Sequence, residues 1–296
     1  MRITHHFTVD VEEYFQVSAL ETHVSRSRWS EYESRVAGQV GQLLDLLARF
    51  QARATFFVVG WVAQRHRLLI RAIGGAGHEI ASHTWDHARV TTQTPPEFRR
   101  SIRRTKRLLE DITGLPVTGF RAPSYSIVPG REWALDVLIE EGYRYDSSLF
   151  PVRRPGYGYP GGHIDPYRLA RPAGGLLEIP PATLQFAGLR LPAAGGAYFR
   201  LLPYGVVQTA LRQCERRGMP GTFYIHPWEI DPEQPRFAVS WLTRTRHYGG
   251  LSRTLPRLER LLSEFRFVPI RETLARAGAV GASAPSVPTV LACQST

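Results

Sequence analysis

Ala54-Thr55-Phe56-Phe57-Val58-Val59-Gly60 is a short apolar run stopped by glycine. Such a run reads as a strand buried on both faces, the pattern of a parallel sheet covered by helices. The flanking segments keep that rhythm. Phe7-Thr8-Val9-Asp10-Val11-Glu12 is β-branched and alternating, which predicts a first strand. Between the two, Val36, Val40, Leu43, Leu44, Leu47 and Phe50 recur at helical spacing.

Further along, the pattern predicts a helix over 62–73 and a short strand over 78–81. A helix opened by Pro95-Pro96 runs to about Ile112, followed by a strand over 117–121 and a helix over 133–141. Strand and helix alternate, so the fold class is α/β: a sheet or barrel of parallel strands with helices outside. Residues 151–175 are rich in Gly, Pro and Tyr without a period and read as a long ordered loop that contacts a ligand. The pattern resumes with a strand over 176–180, a helix over 204–217, a strand over 222–226, a helix over 252–264 and a closing strand over 267–270. One domain over 1–278, with 151–203 as an insertion, and a disordered tail over 279–296 are expected.

Composition narrows the function. With 43% hydrophobic and 21% charged residues, the chain can bury a sizeable core. The net charge of +11 is nearly all arginine, but the arginines are scattered in pairs and form no long run. They read as solvated faces, and no nucleic-acid partner is expected. Cys214 and Cys293 make no metal or disulfide pattern, and neither reads as a nucleophile. The N-terminus has no apolar signal region, and no run is long enough to span a membrane, so a cytoplasmic location is expected.

The chemistry concentrates in a few places. His83 and His87, in Ser82-His83-Thr84-Trp85-Asp86-His87, would share one face if the backbone there were helical. Asp10 and Glu12 share a face at the end of the first strand, and two carboxylates so placed call for a cation. Glu12, His83 and His87 would make a two-histidine, one-carboxylate set with positions left open, as in catalytic zinc sites; the same set can hold non-haem iron.

The ordered motifs Thr8-Val9-Asp10-Val11-Glu12, Ser82 to His87, Phe120-Arg121-Ala122-Pro123-Ser124-Tyr125, Tyr145-Asp146-Ser147-Ser148 and Tyr224-Ile225-His226-Pro227-Trp228-Glu229 resemble those of the polysaccharide deacetylase family. The resemblance covers residues 7–228 and implies a distorted (β/α) barrel of about seven strands. It implies a metal-dependent hydrolase removing N-acetyl groups from an amino sugar. Zn2+ is the implied metal, with Co2+, Ni2+ or Fe2+ as alternatives, held by Glu12, His83 and His87. Asp10 matches the general base, His226 the general acid, Arg121 the residue that orients the base, and Asp146 a member of the supporting charge network. Glu12 stands where many members have an adjacent aspartate, which leaves Glu13 as a rival ligand.

Departures from the family pattern place the oxyanion donor at the N–H of Ser124 or Tyr125. They put Leu149 and Tyr224 in the acetyl pocket, where other residues are usual. Tyr198 and Trp228 complete the expected substrate contacts. The stretch over 195–203 and the Asp10–Gln16 opening are similar to a subgroup tied to exopolysaccharide and PEP-CTERM loci. That likeness implies an N-acetylated polysaccharide or oligosaccharide substrate and leaves room for association with exopolysaccharide synthesis machinery. The competing readings are an O-acetyl esterase, a cyclic amide or imide hydrolase, and a non-catalytic glycan- or nucleic-acid-binding protein.

Overall fold

The computed structural model describes residues 3–154, 156–279 and 289–291. Its strands are β1 (His5–Val11), β2 (Thr55–Val58), β3 (Glu79–Ser82), β4 (Gly119–Phe120), β5 (Tyr145–Asp146), β6 (Tyr167–Arg171), β7 (Gly174–Glu178), β8 (Thr183–Phe186), β9 (Leu189–Pro192), β10 (Thr222–Ile225), β11 (Phe267–Val268) and β12 (Thr289–Leu291). The helices are α1 (Val36–Arg49), α2 (Gly60–Arg65), α3 (Arg67–Gly75), α4 (Pro95–Thr113), α5 (Trp133–Glu140), α6 (Gly196–Leu201), α7 (Gly205–Arg216), α8 (Trp241–Tyr248), α9 (Thr254–Glu264) and α10 (Ile270–Ala279).

The main sheet runs β10-β1-β2-β3-β4-β5-β7-β6-β12, and every neighbour from β10 to β7 is parallel. Seven parallel strands therefore form its body. A single parallel bridge between Pro181 and Thr222 links the chain just after β7 to β10, with the Ala182 N–H donating to Thr222 O at 2.9 Å. The ends of the sheet approach one another there without a continuous ladder.

Register explains how side chains sort. Val11, Val58, Ser82, Phe120, Asp146 and Glu178 are paired strand to strand and form one lateral row near the C-terminal ends. Paired residues in a parallel sheet share a face, and the next residue along each strand takes the other face. Val11, Val58 and Phe120 of this row pack with Val40, Leu43 and Ile102 in the main core under the helices. Phe57, Ala81, Tyr145, Leu177 and Ile179 have the opposite phase and cluster on the inner side. Asp10 is paired with Phe57, so it too faces inward.

Several expectations are corrected. The loop expected over 151–175 contains β6 and the start of β7, an antiparallel pair on the sheet's edge. Tyr167 and Leu169 of β6 are buried, an alternation hidden by the surrounding Gly and Pro. The strand over 267–270 does not close the sheet; β11 pairs beside the N-terminal half of β1, off the main path. In the expected tail, Thr289–Leu291 adds a strand beside β6, while 280–288 and 292–296, with Cys293, lie outside the described residues. The β8–β9 hairpin, α6 and α8 were not anticipated, being too short for periodicity to declare them. Among the described residues no helix is long and apolar enough to cross a membrane.

Candidate active site

One residue beyond the lateral row stand Glu12, His83, Arg121 and Ser147, all carried by strand phase to the inner face. This is the mouth of the parallel sheet, where α/β folds place their ligands. The histidine pair is not helical. His83 follows β3 directly, and the intervening loop reaches His87 through left-handed backbone at Thr84 (φ 61) and His87 itself (φ 54). The loop turns both rings inward, with centroids 5.2 Å apart.

Glu12, His83 and His87 each offer a ligand atom, and the three atoms lie within 4.8 Å of one another. All three residues are buried. Two of them are braced from behind, whereas the buried Nδ1 of His87 has no hydrogen-bond partner among the described residues. The Nδ1 of His83 is 2.7 Å from Arg121 O, which fixes the tautomer with Nδ1 protonated and leaves the Nε2 lone pair for a cation. Glu12 Oε1 accepts from Trp228 Nε1 at 3.0 Å, while Glu12 Oε2 is buried 2.6 Å from His87 Nε2 without a well-aligned hydrogen bond. A buried carboxylate oxygen left so, beside two imidazoles, fits a divalent ion, and the N,N,O donor set suits zinc. Burial pushes the His83 imidazole down to about 4, against the raising pull of Asp10, so it stays neutral as a ligand must. Burial opposes ionisation of Glu12, but the neighbouring His87 and His226 imidazoles hold its carboxyl well below the usual range. Glu13 lies outside this group and accepts from Ser34 Oγ and from the Arg35 N–H.

Asp10 and His226 flank this cradle. Arg121, completely buried, donates from Nη1 to Asp10 Oδ1 at 2.8 Å and to Thr8 Oγ at 2.7 Å. Its Nε and Nη2 donate to Ser147 O and Oγ, and its Cζ sits 4.2 Å from the Phe57 ring centroid. So many contacts leave the guanidinium one orientation, and Asp10 inherits it. His226 Nε2 lies 3.8 Å from both Asp10 Oδ2 and Glu12 Oε1. Its Nδ1 is 2.7 Å from Glu229 Oε1, and Glu229 Oε2 accepts from buried Arg200 Nε at 2.6 Å. Burial would lower the His226 imidazole, but Glu12, Glu229 and Asp10 together push it up to about 9. The ring stacks on Trp228 with centroids 5.1 Å apart.

The pocket above these groups holds about 1000 Å³, counted out to open solvent, which is ample for a sugar ring. Ser124, Tyr125, Tyr198, Tyr224 and Trp228 all line it, together with Asp10, Glu12, His87 and His226. Trp228 also supports Glu12. Ser124 and Tyr125 both have left-handed backbone (φ 53 and 52), and Ser124 Oγ is 2.7 Å from Ser18 Oγ. The Tyr125 N–H donates to Ala122 O at 3.1 Å. It is therefore not free for a ligand.

Two expected members fall outside. Asp146 belongs to the row with Phe120 and Val58, so its carboxyl points away from Arg121's face. It accepts from Ser148 Oγ at 2.5 Å and is paired across the strands with Glu178, whose carboxyl is also buried. Its neighbour Ser147 contacts Arg121 instead, because one step along a strand changes faces. Leu149 is buried in the main core, its N–H donating to Glu178 Oε1 at 3.0 Å. Sequence reading missed Glu229 and Arg200, although both lie inside stretches it singled out. In an arginine-rich chain nothing marks which Arg is buried. Cys214 is buried, and burial pushes its thiol up to about 11, away from reactivity.

Fold and site together define an α/β protein with a buried two-histidine, one-carboxylate cluster able to hold a cation at its strand ends, flanked by a positioned carboxylate and a positioned imidazole. Residues 32–143 match the polysaccharide deacetylase family, and residues 147–275 match a domain of unknown function, DUF3473. The polysaccharide deacetylase match thus covers somewhat under half of the chain. Asp10 and Glu12 precede both matches, whereas Arg200, His226 and Glu229 lie in the second.

Over 115 residues the chain is 30% identical to the peptidoglycan-N-acetylglucosamine deacetylase PgdA of Listeria monocytogenes, covering 36% of this chain and 24% of the relative. It is 29% identical over 115 residues to the peptidoglycan deacetylase of Helicobacter pylori, covering 38% of each. It is 38% identical over 65 residues to the chitooligosaccharide deacetylase of Rhizobium leguminosarum bv. trifolii, covering 22% of this chain and 30% of the relative. The chain thus spans well under half the length of these curated relatives.

Among solved structures, a Mycobacterium smegmatis protein assigned to the polysaccharide deacetylases superposes with a TM-score of 0.66 at 20% identity, over 99% of this chain and 94% of that one. The PuuE allantoinase superposes with a TM-score of 0.61 at 19% identity, over 96% and 92%. Both likenesses concern the fold.

Proposed function

We propose that the protein is a metal-dependent hydrolase that removes N-acetyl groups from an amino sugar of an exopolysaccharide or its precursor. One observation carries this reading. Glu12, His83 and His87 converge on a single point, with Asp10 and His226 each held from behind and aimed at the space beside it. The sugar class follows the family and the likeness of 10–16 and 195–203 to the exopolysaccharide-associated subgroup.

When bound by those three residues, Zn2+ or a similar divalent ion would polarise the acetamide carbonyl and make water a better nucleophile. Asp10 takes a proton from the attacking water, and Arg121 keeps its carboxylate oriented. His226, with Nδ1 held by Glu229, presents Nε2 to the pocket and gives a proton to the departing amine. Without that proton the amide nitrogen would have to leave as an anion. The Ser124 N–H serves as the oxyanion donor, since the Tyr125 N–H is taken. Tyr125, Tyr198 and Tyr224 supply the walls against which a sugar packs.

The test measures acetate and free amine released from N-acetylglucosamine oligomers and N-acetylated exopolysaccharides by metal-loaded protein. Asp10→Asn is expected to keep the metal and lose nearly all turnover, and His83→Ala to lose the metal. Wild-type rates in Asp10→Asn would refute the mechanism. Acetate released without new amine would make the protein an O-acetyl esterase.

A further inference from the structure

At the mouth of the pocket the charge changes sign. The floor is acidic, with Asp10 and Glu12, while Arg246 of α8 forms part of the wall. Arg154 stands beside it, its Cζ 5.8 Å from the ring centroid of pocket-lining Tyr198. Tyr157 and Tyr198 join their hydroxyls at 2.5 Å. Burial and that bond push the Tyr157 hydroxyl up, and the charges of Arg154 and Arg246 both pull it back, so both guanidiniums lie near one wall.

Other arginines of this protein are ion-paired: Arg35 with Asp231, Arg171 with Asp136, Arg200 with Glu229, Arg217 with Asp165. Arg154 and Arg246 are exposed and have no acidic partner among the described residues. Arg246 is also anchored, because its carbonyl accepts from Arg200 Nη2 at 2.8 Å, which ties its helix to the residue that holds Glu229. Two free guanidinium forks on one rim match a carboxylate or phosphate, each able to take two parallel hydrogen bonds. A neutral glycan would leave them unused.

We propose that Arg154 and Arg246 select an acidic glycan, engaging a carboxylate or phosphate next to the N-acetylated sugar that sits over Asp10 and Glu12. The position of that sugar rests on the deacetylase reading; the charge preference is measured without it.

The test titrates metal-loaded protein by calorimetry with a hyaluronan tetrasaccharide, N-acetylglucosamine 1-phosphate, chitotetraose and N-acetylglucosamine, at low and high salt. Of the two acidic probes, at least one is expected to bind about five- to tenfold tighter than its neutral counterpart, an advantage that shrinks with salt. Whichever acidic probe shows it identifies the anion as carboxylate or phosphate. The ratio should fall towards one in Arg154→Gln/Arg246→Gln and below one in Arg154→Glu/Arg246→Glu. Equal binding of acidic and neutral probes, no measurable binding of either acidic probe, or an advantage that survives the double substitution would each overturn the proposal. Acetate release is scored separately, so a protein that binds acidic probes but deacetylates nothing counts against the deacetylase reading alone.

Discussion

Trp228 Nε1–H donates to Glu12 Oε1 at 3.0 Å, so an indole from the end of β10 holds the carboxylate that follows β1. The bond leaves Glu12 Oε2 as the oxygen facing His87. Hydrogen bonds to ligating groups orient them, and their loss costs roughly 10- to 100-fold in metal affinity. Trp228→Phe keeps the stacking surface under His226 and removes only the donor. Its zinc affinity, measured by competition with a chelating dye, should fall within that range.

Arg121 touches the site in two ways that mutation can separate. Its carbonyl holds His83 Nδ1 and its guanidinium holds Asp10. Arg121→Lys keeps the carbonyl and a charge but cannot reproduce four directed bonds to Asp10, Thr8 and Ser147. Bound metal should stay near the wild-type amount while kcat falls by about 100-fold or more, at the scale of misplacing a catalytic group.

Glu229 bridges Arg200 and His226. Glu229→Gln leaves the Arg200 charge buried without its partner, and loss of one partner of a buried pair costs about 3–5 kcal/mol. A lower melting temperature and a reduced kcat are both expected. Arg200→Met/Glu229→Gln should recover much of the stability but not the rate, if Glu229 serves to orient His226.

Asp146 and Glu178 make stability depend on pH. Burial pushes Asp146 up to about 6, and burial together with the Asp146 charge holds Glu178 well above the usual carboxylate range. A carboxyl whose folded pKa is raised favours the fold while protonated. Its contribution is complete below about pH 4 and is lost as pH rises through 6 and beyond. Glu178→Gln can donate to Asp146 at every pH and still accept from the Leu149 N–H. Relative to wild type it should gain roughly 1–3 kcal/mol at pH 8 and nothing near pH 4, read from urea unfolding at the two values.

Gly195 precedes α6 with φ 148, and a Cβ there would lie 2.0 Å from Tyr224 O. Gly195→Ala must push α6 off β10 and shift Tyr198 and Arg200. Destabilisation of about 2–4 kcal/mol is expected, together with a raised KM.

Much of the site was legible in the chain because its chemistry rides on strand ends. Asp10 and Glu12 are two apart on a strand, His226 ends another, and Arg121 follows a third, so alternation alone puts them at one mouth. Asp146 shows the limit. Its motif marked it for the site, but pairing of β5 with β4 and β7 puts it in phase with Phe120 and Glu178, on the face under the helices. Register is a property of strand pairs, and a lone sequence does not display it.

The sequence by itself determined the α/β class, the parallel character of the sheet's body and the residue types able to hold a cation, because apolar periodicity and residue chemistry are local. Tertiary structure alone decided that Glu12 rather than Glu13 faces His87, and that Ser147 rather than Asp146 braces Arg121. It also decided that Glu229 and Arg200 stand behind His226, and that two unpaired arginines share the pocket's rim. Each of these depends on which face a side chain takes and on which distant segment meets it there, and only packing of the whole chain settles that.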